Sequence, residues 1–346
     1  MAGMHSFPRS FQEVTPEWLS TVVEAPVRDC QFESFGVVGL ISEVARVRLT
    51  YGLHGEGPAS VVVKIPRTGP AGGFVGQPGV YEREARFFAE VAPEVGVDVP
   101  RCLASPWDSG TGHFILVLED LGRLRVGDQL SGINDDDALA ASRLLARLHS
   151  YWWMHPRLDS LGWLPTELDE VGRMTEGADY RLLAEQWGDT LGPERLERAR
   201  AILAAFPALV EDIDSTPRTL LHGDARGDNL LFGDDRIVMI DWQAALRGPS
   251  GARDLAQLCA TTLDPDQRHR LLDPMIDLYL EAFRLGCGVE LDAQGFREAM
   301  AVSAASVILL GARGIQLAIT DERGHQIQAK MITGFHDLAH ELDFLE

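Results

Sequence analysis

The chain has 346 residues, 45% apolar and 24% charged, the balance of a folded globular protein with room for two domains or one two-lobed domain. Its 31 Lys and Arg against 52 Asp and Glu leave a net charge of −21, which argues against a nucleic-acid or anionic-membrane partner and permits a cationic substrate without requiring one. Four scattered cysteines (Cys30, Cys102, Cys259, Cys287) have no pairing or metal spacing and point to free thiols in a reducing cytoplasm. No basic region followed by an apolar run opens the chain, so no signal peptide is expected. The longest apolar stretch, Ala299 to Ala312, is too short to span a bilayer and reads as a core helix.

Taken in order, Thr15 is a plausible N-cap for a short helix opening at Pro16. Gln31 to Thr50 reads as two strands around a turn between Phe35 and Glu43, which carries two glycines rather than a Gly-x-Gly-x-x-Gly pattern. Ala59 to Pro66 is an apolar strand with Lys64 inside it. A buried lysine is costly unless paired, and the alternative is an edge lysine reaching to water. Thr68 to Gly79 is glycine-rich but lacks a Gly-Lys-Ser/Thr ending, so it reads as a connector. A helix opens at Tyr81 with Phe87, Phe88 and Val91 on one face.

Arg101 to Ser105 and His113 to Leu118 read as further strands, and Glu119-Asp120-Leu121-Gly122 breaks the pattern. Asp135 to His149 has acidic residues in its first turn and an apolar stripe at Ala140, Leu144, Leu145 and Leu148, which predicts a helix. Helices are also predicted at Tyr180 to Trp187, Pro193 to Val210, from Arg253, and at Asp266 to Leu285, Ala293 to Ala312 and Ile332 to Phe344.

The richest stretch is Leu221-His222-Gly223-Asp224-Ala225-Arg226-Gly227-Asp228-Asn229-Leu230-Leu231-Phe232, followed by a turn at Gly233-Asp234-Asp235 and by Ile237-Val238-Met239-Ile240-Asp241. Short apolar runs alternate with a polar loop, which predicts a small β unit presenting Asp224, Asn229 and Asp241. The spacing suits phosphoryl transfer from ATP. Protein kinases place an Asp and, five residues on, an Asn in the catalytic loop, with a second Asp on the next strand pair. Asp224 would then accept the proton of an attacking hydroxyl, while Asn229 and Asp241 would hold Mg²⁺ through hard oxygen ligands. His222 reads as a core histidine bracing the loop rather than as a base.

His-Gly-Asp with Asn five residues after the Asp, then Ile240-Asp241-Trp242-Gln243 and Gly248-Pro249 before Asp254-Leu255, resembles the aminoglycoside phosphotransferase and choline kinase superfamily. The branch it is most similar to is the ecdysteroid-kinase-like one. The resemblance implies an α+β, protein kinase-like fold: residues 1–119 as an N-lobe of antiparallel strands with one helix, and 120–346 as a larger helical C-lobe with the catalytic loop.

It further implies that Lys64 grips the ATP phosphates and that Glu84 pairs with it, Glu82 being the alternative. The Phe35–Glu43 turn would be the nucleotide-covering loop, with Ser42 a candidate phosphate donor and a plain hairpin turn the alternative. Backbone groups of Glu119 and Leu121 would meet adenine, and Asp254 would brace the catalytic loop. Arg226 stands where protein kinases carry a Lys, a departure from the aminoglycoside kinases; its planar fork would clamp the transferring phosphoryl group, an exposed loop arginine being the alternative. The acceptor, a small-molecule hydroxyl, would sit near Asp128, Trp152, Trp153 and Trp163, a core aromatic cluster being the alternative reading of the tryptophans. The competing reading is a nucleotide-binding pseudokinase. A metal-dependent hydrolase built on His222, Asp224 and Asp241 leaves Lys64 and Glu84 unexplained.

Overall fold

The computed structural model describes residues 7–35, 42–52, 55–67, 79–210, 218–312 and 322–344. The chain forms two compact units, one from residues up to Glu94 together with Val99–Leu124, the other from Val95–Asp98 and from Arg125 onward.

In the first unit, α1 (Pro16–Val23) starts where Thr15 and Pro16 dictate. Thr15 Oγ1 accepts the amide of Trp18 at 3.3 Å, and Pro16 fills the first helical position, where no amide partner is needed. Strands β1 (Val27–Ser34), β2 (Ser42–Tyr51) and β3 (Ser60–Pro66) precede α2 (Val80–Arg86), and β4 (Cys102–Ala104) and β5 (Leu116–Glu119) follow it. The five strands make one antiparallel sheet in the order β1-β2-β3-β5-β4.

The period-two alternation of β3 sends Val61, Val63 and Ile65 to one face, into a core with Val47, Leu49, Ile115, Val117 and Leu19 of α1. Lys64 points to the other face. It sits on a central strand, in register with Val44 on one side and Leu116 on the other, so it is not an edge lysine. Residues 36–41, most of the turn read as the nucleotide-covering loop, and 68–78 of the glycine-rich connector lie outside the described residues.

The second unit is mainly helical. It runs through β6 (Arg125–Val126), α3 (Asp135–Tyr151), α4 (Glu167–Thr175) and α5 (Tyr180–Val210). Next come β7 (Thr219–Leu221), β8 (Leu230–Phe232), β9 (Ile237–Met239) and β10 (Leu246–Gly248). The chain ends on α6 (Ala252–Thr262), α7 (Pro265–Cys287), α8 (Ala293–Ala312) and α9 (Glu322–Glu341). Strand β8 lies between β6 and β9, and β7 pairs with β10, all antiparallel.

The break expected between the helices at Trp187 and Pro193 occurs at Gly192, whose φ of 70° and ψ of 172° interrupt α5. Helix α4, not anticipated, is set by a capping box between Thr166 and Asp169. Helix α9 begins ten residues before Ile332, because its buried face starts only at Ile332 and the earlier turns carry no apolar stripe. Helix α6 is buried from end to end. Among the described residues no helix is long and apolar enough to cross a membrane. The fold class is α+β, with an antiparallel sheet in the N-terminal part and helices dominating the rest, as the resemblance implies.

Candidate active site

The loop from β7 to β8 carries Asp224 and Arg226 and leads to Asn229, and helix α6 holds it. The Asp254 carboxylate is fully buried and accepts the amides of His222 at 2.6 Å and Gly223 at 2.9 Å. His149 Nε2 lies 3.1 Å from Asp254 Oδ2, and its Nδ1 lies 2.8 Å from the Tyr279 hydroxyl. Burial alone would raise the Asp254 carboxyl. The hydrogen bond from His149, the two neighbouring imidazoles and the Gly223 amide outweigh it and hold the group below its ordinary value. Burial pushes the Tyr279 hydroxyl up, so it stays a neutral donor to His149. Gly251 leaves room for this contact: a Cβ there would lie 1.9 Å from His149 Nδ1 and 2.0 Å from the Tyr279 oxygen. Asp254 thus braces the loop, the role the resemblance implies for it.

His222 is buried. Its Nε2 donates to the Ile240 carbonyl at 2.9 Å, its Nδ1 accepts the Asp224 amide at 3.3 Å, and its ring packs on Trp242 at a centroid distance of 4.6 Å. It ties the loop to the segment carrying Asp241. The Ile240 amide closes the same link by donating to the Asn229 carbonyl at 3.0 Å.

These braces bring Asp224 and Asn229 together. Asn229 Nδ2 donates to the Asp224 carbonyl at 2.8 Å and to its Oδ2 at 3.1 Å, which commits the amide nitrogen and leaves Oδ1 as its remaining ligand atom. Asp241 adopts a left-handed backbone, φ 66° and ψ 68°, unusual for a residue with a Cβ and common where function imposes a conformation. Gln243 Nε2 donates to Asp241 Oδ2 at 3.2 Å. Asp224 keeps 20% of its side chain exposed, enough for an acceptor to reach it. Burial pushes its carboxyl above the ordinary carboxylate range. Arg226 pulls it down, Asp241 pushes it further up, and the hydrogen bond from Asn229 lowers it.

Arg226 Nε lies 3.0 Å from Asp224 Oδ2, so the guanidinium rests on the proposed base itself. Its Nη1 donates to Gln129 Oε1 at 2.8 Å. Gln129 is fully buried. Its amide donates to Asp228 Oδ1 at 2.7 Å and its carbonyl accepts Lys330 Nζ of α9 at 2.7 Å. Asp128 caps its own turn through the amides of Leu130 and Ser131 and pairs with Arg323 at 3.0 Å. Trp152 is fully buried, with Nε1 donating to the Val95 carbonyl at 3.0 Å, so it is a core residue rather than an acceptor contact.

In the first unit, Lys64 Nζ meets Glu84 at 2.9 Å to Oε1 and 2.7 Å to Oε2, with both residues buried. Glu82 instead pairs with Arg86 one turn along α2 at 3.1 Å, which decides between the two candidates. Ser42 is 1% exposed, and its Oγ has no hydrogen-bond partner among the described residues. The Glu119 amide donates to the Arg101 carbonyl at 2.9 Å, and the Leu121 carbonyl accepts the Leu124 amide at 2.8 Å. Of the Leu121 backbone groups, the N–H is therefore the one left for a nucleotide. Asp120, between them, is pinned by Arg46 at 2.6 Å and Ser60 at 2.5 Å.

Sequence reasoning singled out neither Gln257, Gln129, Thr262 nor the His149–Tyr279 pair as functional. Only Gln257 left a signal, its i+3 spacing from Asp254 on one face of a helix. The others meet the loop from distant segments.

The chain matches the model of the phosphotransferase enzyme family over residues 42–287. It is 31% identical over 175 residues to the N-acetylmuramate/N-acetylglucosamine kinase of Pseudomonas aeruginosa, a match covering 49% of this chain and 47% of that protein. The chain thus matches about half the length of this curated relative. Among solved structures it resembles choline kinase from Cryptosporidium parvum, with TM-score 0.61, 10% identity, and coverage of 91% of this chain and 90% of that one. It also resembles an amicoumacin kinase in complex with AMP-PNP and Ca²⁺, with TM-score 0.55, 11% identity and coverage of 90% and 88%. A microcompartment-associated aminopropanol kinase gives TM-score 0.52, 16% identity and coverage of 90% and 92%. These likenesses establish the kinase-like fold, and the family match covers well over half the chain, including both Lys64 and the loop around Asp224: the chain belongs to the phosphotransferase enzyme family.

Proposed function

We propose that this protein transfers the γ-phosphate of ATP to a hydroxyl group of a small molecule in the cytoplasm. The observation that carries the reading is the Asp224–Asn229 contact at 3.1 Å on a loop braced by Asp254, with Asp241 on the segment tied to it by His222. The donor set fits Mg²⁺, since Asn229 Oδ1 and the Asp241 carboxylate are hard oxygens and two protein ligands suffice for an ion that keeps most of its waters. Bound there, the cation would neutralise charge on the phosphate oxygens.

In this reading Asp224 accepts the proton of the acceptor hydroxyl and aims its oxygen at the γ-phosphorus. Arg226 releases Asp224 and takes the phosphoryl oxygens in its planar fork. Lys64, held by Glu84, grips the nucleotide phosphates, Ser42 donates to them, and the Glu119 carbonyl and Leu121 amide receive adenine. Residues up to about Glu119 form the nucleotide-covering part and the remainder the substrate part. The P. aeruginosa relative makes N-acetylated amino sugars the first acceptors to try, ahead of amino alcohols, hydroxyacyl compounds, steroid alcohols and aminoglycosides.

The test is transfer of labelled γ-phosphate from Mg-ATP into that acceptor panel. Wild type should label one class, and Asp224→Asn should lose roughly 10²–10⁴-fold in turnover while still binding Mg-ADP. Asp224→Asn turning over near the wild-type rate would remove the base assignment, and nucleotide binding without transfer would favour the pseudokinase.

A further inference from the structure

Asp224 and Arg226 are charged, yet each is gripped from outside the loop by a neutral glutamine. Gln257 Nε2 donates to Asp224 Oδ1 at 3.1 Å, and Gln129 Oε1 accepts from Arg226 Nη1 at 2.8 Å. Both glutamines are buried, Gln129 completely. Gln257 comes from α6, one turn past Asp254, so a single helix face holds the amides of His222 and Gly223 and the side chain of Asp224. Thr262 continues the row, accepting the Gly227 amide at 2.8 Å. Gln129 comes from the segment after β6 and is anchored by Asp228 and Lys330.

Stability accounts for only half of the Gln129 amide: its Oε1 satisfies the largely buried Arg226 Nη1. Gln129 Nε2 is buried with no hydrogen-bond partner among the described residues, a cost that an apolar side chain of the same size would avoid. Neutrality has a chemical use. Asp224 already faces one cation, and a second charged donor would further weaken it as a proton acceptor. An amide fixes the plane of the carboxylate without adding charge. With Gln257 on Oδ1 and Asn229 on Oδ2, each carboxylate oxygen carries one amide donor and keeps acceptor capacity for the substrate hydroxyl. On the other side, Gln129 holds Nη1 of Arg226 while Nε lies against Asp224, which leaves Nη2 for phosphoryl oxygens until Arg226 releases Asp224.

We infer that Gln257 and Gln129 are positioning residues for the transfer, Gln257 orienting the Asp224 carboxylate and Gln129 the Arg226 guanidinium. The inference rests on the kinase reading above. Its test uses the full chain, Mg-ATP and the acceptor that wild type labels. Gln257→Met keeps the side-chain volume and removes the donor. It should lower kcat roughly 10- to 100-fold, the loss expected for a hydrogen bond to a charged group, with KM for ATP and Mg-ADP affinity within about twofold of wild type.

Gln129→Met gives an independent arm should the first variant fail to fold. It should lower kcat in the wild-type background and cost nothing further on top of Arg226→Met, with the non-additivity in kcat and not in the urea midpoint, where a packing role would put it. A Gln257→Met enzyme with wild-type kcat, or one changed only in KM, would overturn the Gln257 assignment. Additive losses for Gln129→Met and Arg226→Met, or an Arg226→Met enzyme of unchanged rate, would overturn the Gln129 assignment. Failure of the kinase reading looks different: wild type labels no acceptor, or Asp224→Asn keeps full turnover, and both assignments fall with it.

Discussion

Gly223 has a φ of 80°, and a Cβ on it would sit 2.0 Å from the Ala244 carbonyl oxygen. Between His222 and Asp224 only glycine fits, because the loop turns sharply there and passes against the chain that follows Asp241. Gly223→Ala should therefore destabilise the protein in urea unfolding by more than the roughly 1–2 kcal/mol of the left-handed backbone alone, lowering the midpoint, and should abolish transfer by displacing Asp224. A variant with wild-type midpoint and turnover would show that the loop can be rebuilt. At this scale the sequence was informative where a residue's neighbours are local. The five-residue step from Asp224 to Asn229 is a contact within one loop. The choice between Glu84 and Glu82 was not readable, since both lie on α2 and only the packed helix shows which faces Lys64.

Helix α6 acts as the frame of the loop that carries Asp224, meeting it at Asp254, Gln257 and Thr262. Helix α9 bears on the same region through Lys330, whose Nζ also reaches the Thr262 carbonyl at 2.9 Å. Burial pushes the Lys330 ammonium down and the nearby carboxylates push it back up, the burial prevailing. Further along α9, His336 is buried and neither ring nitrogen has a partner among the described residues. Burial and then the charges of Arg198 and Arg195 hold its pKa at about 4, with Asp337 opposing them.

Its folded pKa lies below its unfolded value of 6.5, so the unfolded chain takes up the proton first and stability falls as pH drops from about 6.5 towards about 4. The full shift corresponds to about 3 kcal/mol, an order-of-magnitude figure. His336→Leu should flatten that acid slope in urea unfolding between pH 7 and pH 5 and should not weaken the protein at pH 7. An unchanged slope would assign the acid sensitivity to other groups.

For the whole molecule, the proposed chemistry draws on both compact units, with Lys64 and Glu84 in one and Asp224, Asn229 and Asp241 in the other. If both serve one nucleotide, Mg-ADP at about one hundred times its Kd should stabilise the protein by about 2.7 kcal/mol. Lys64→Met and Asp241→Asn should each remove most of that shift in thermal unfolding. A shift surviving Asp241→Asn intact would confine nucleotide binding to the first unit. The family and the α+β class follow from short ordered motifs and need no knowledge of how the units are arranged.

What the sequence by itself determined was the family and the ordered set Asp224, Asn229 and Asp241 on which the proposed chemistry rests, because the hard oxygen ligands and proton acceptor of such chemistry would stand at set intervals along the chain, and chain spacing records that. It also determined most helices and strands, whose apolar periods reflect one buried face. The sequence also pointed to Asp254 and His222 as braces of the loop that carries Asp224, and tertiary structure alone decided what else holds it. Gln257, Gln129, Thr262 and the Tyr279–His149 pair reach it from other segments, Gln129 lying 97 positions before Arg226 and His149 105 positions before Asp254. Apart from the i+3 spacing of Gln257 from Asp254, these contacts have no local period, so nothing along the chain marks them until the helices pack.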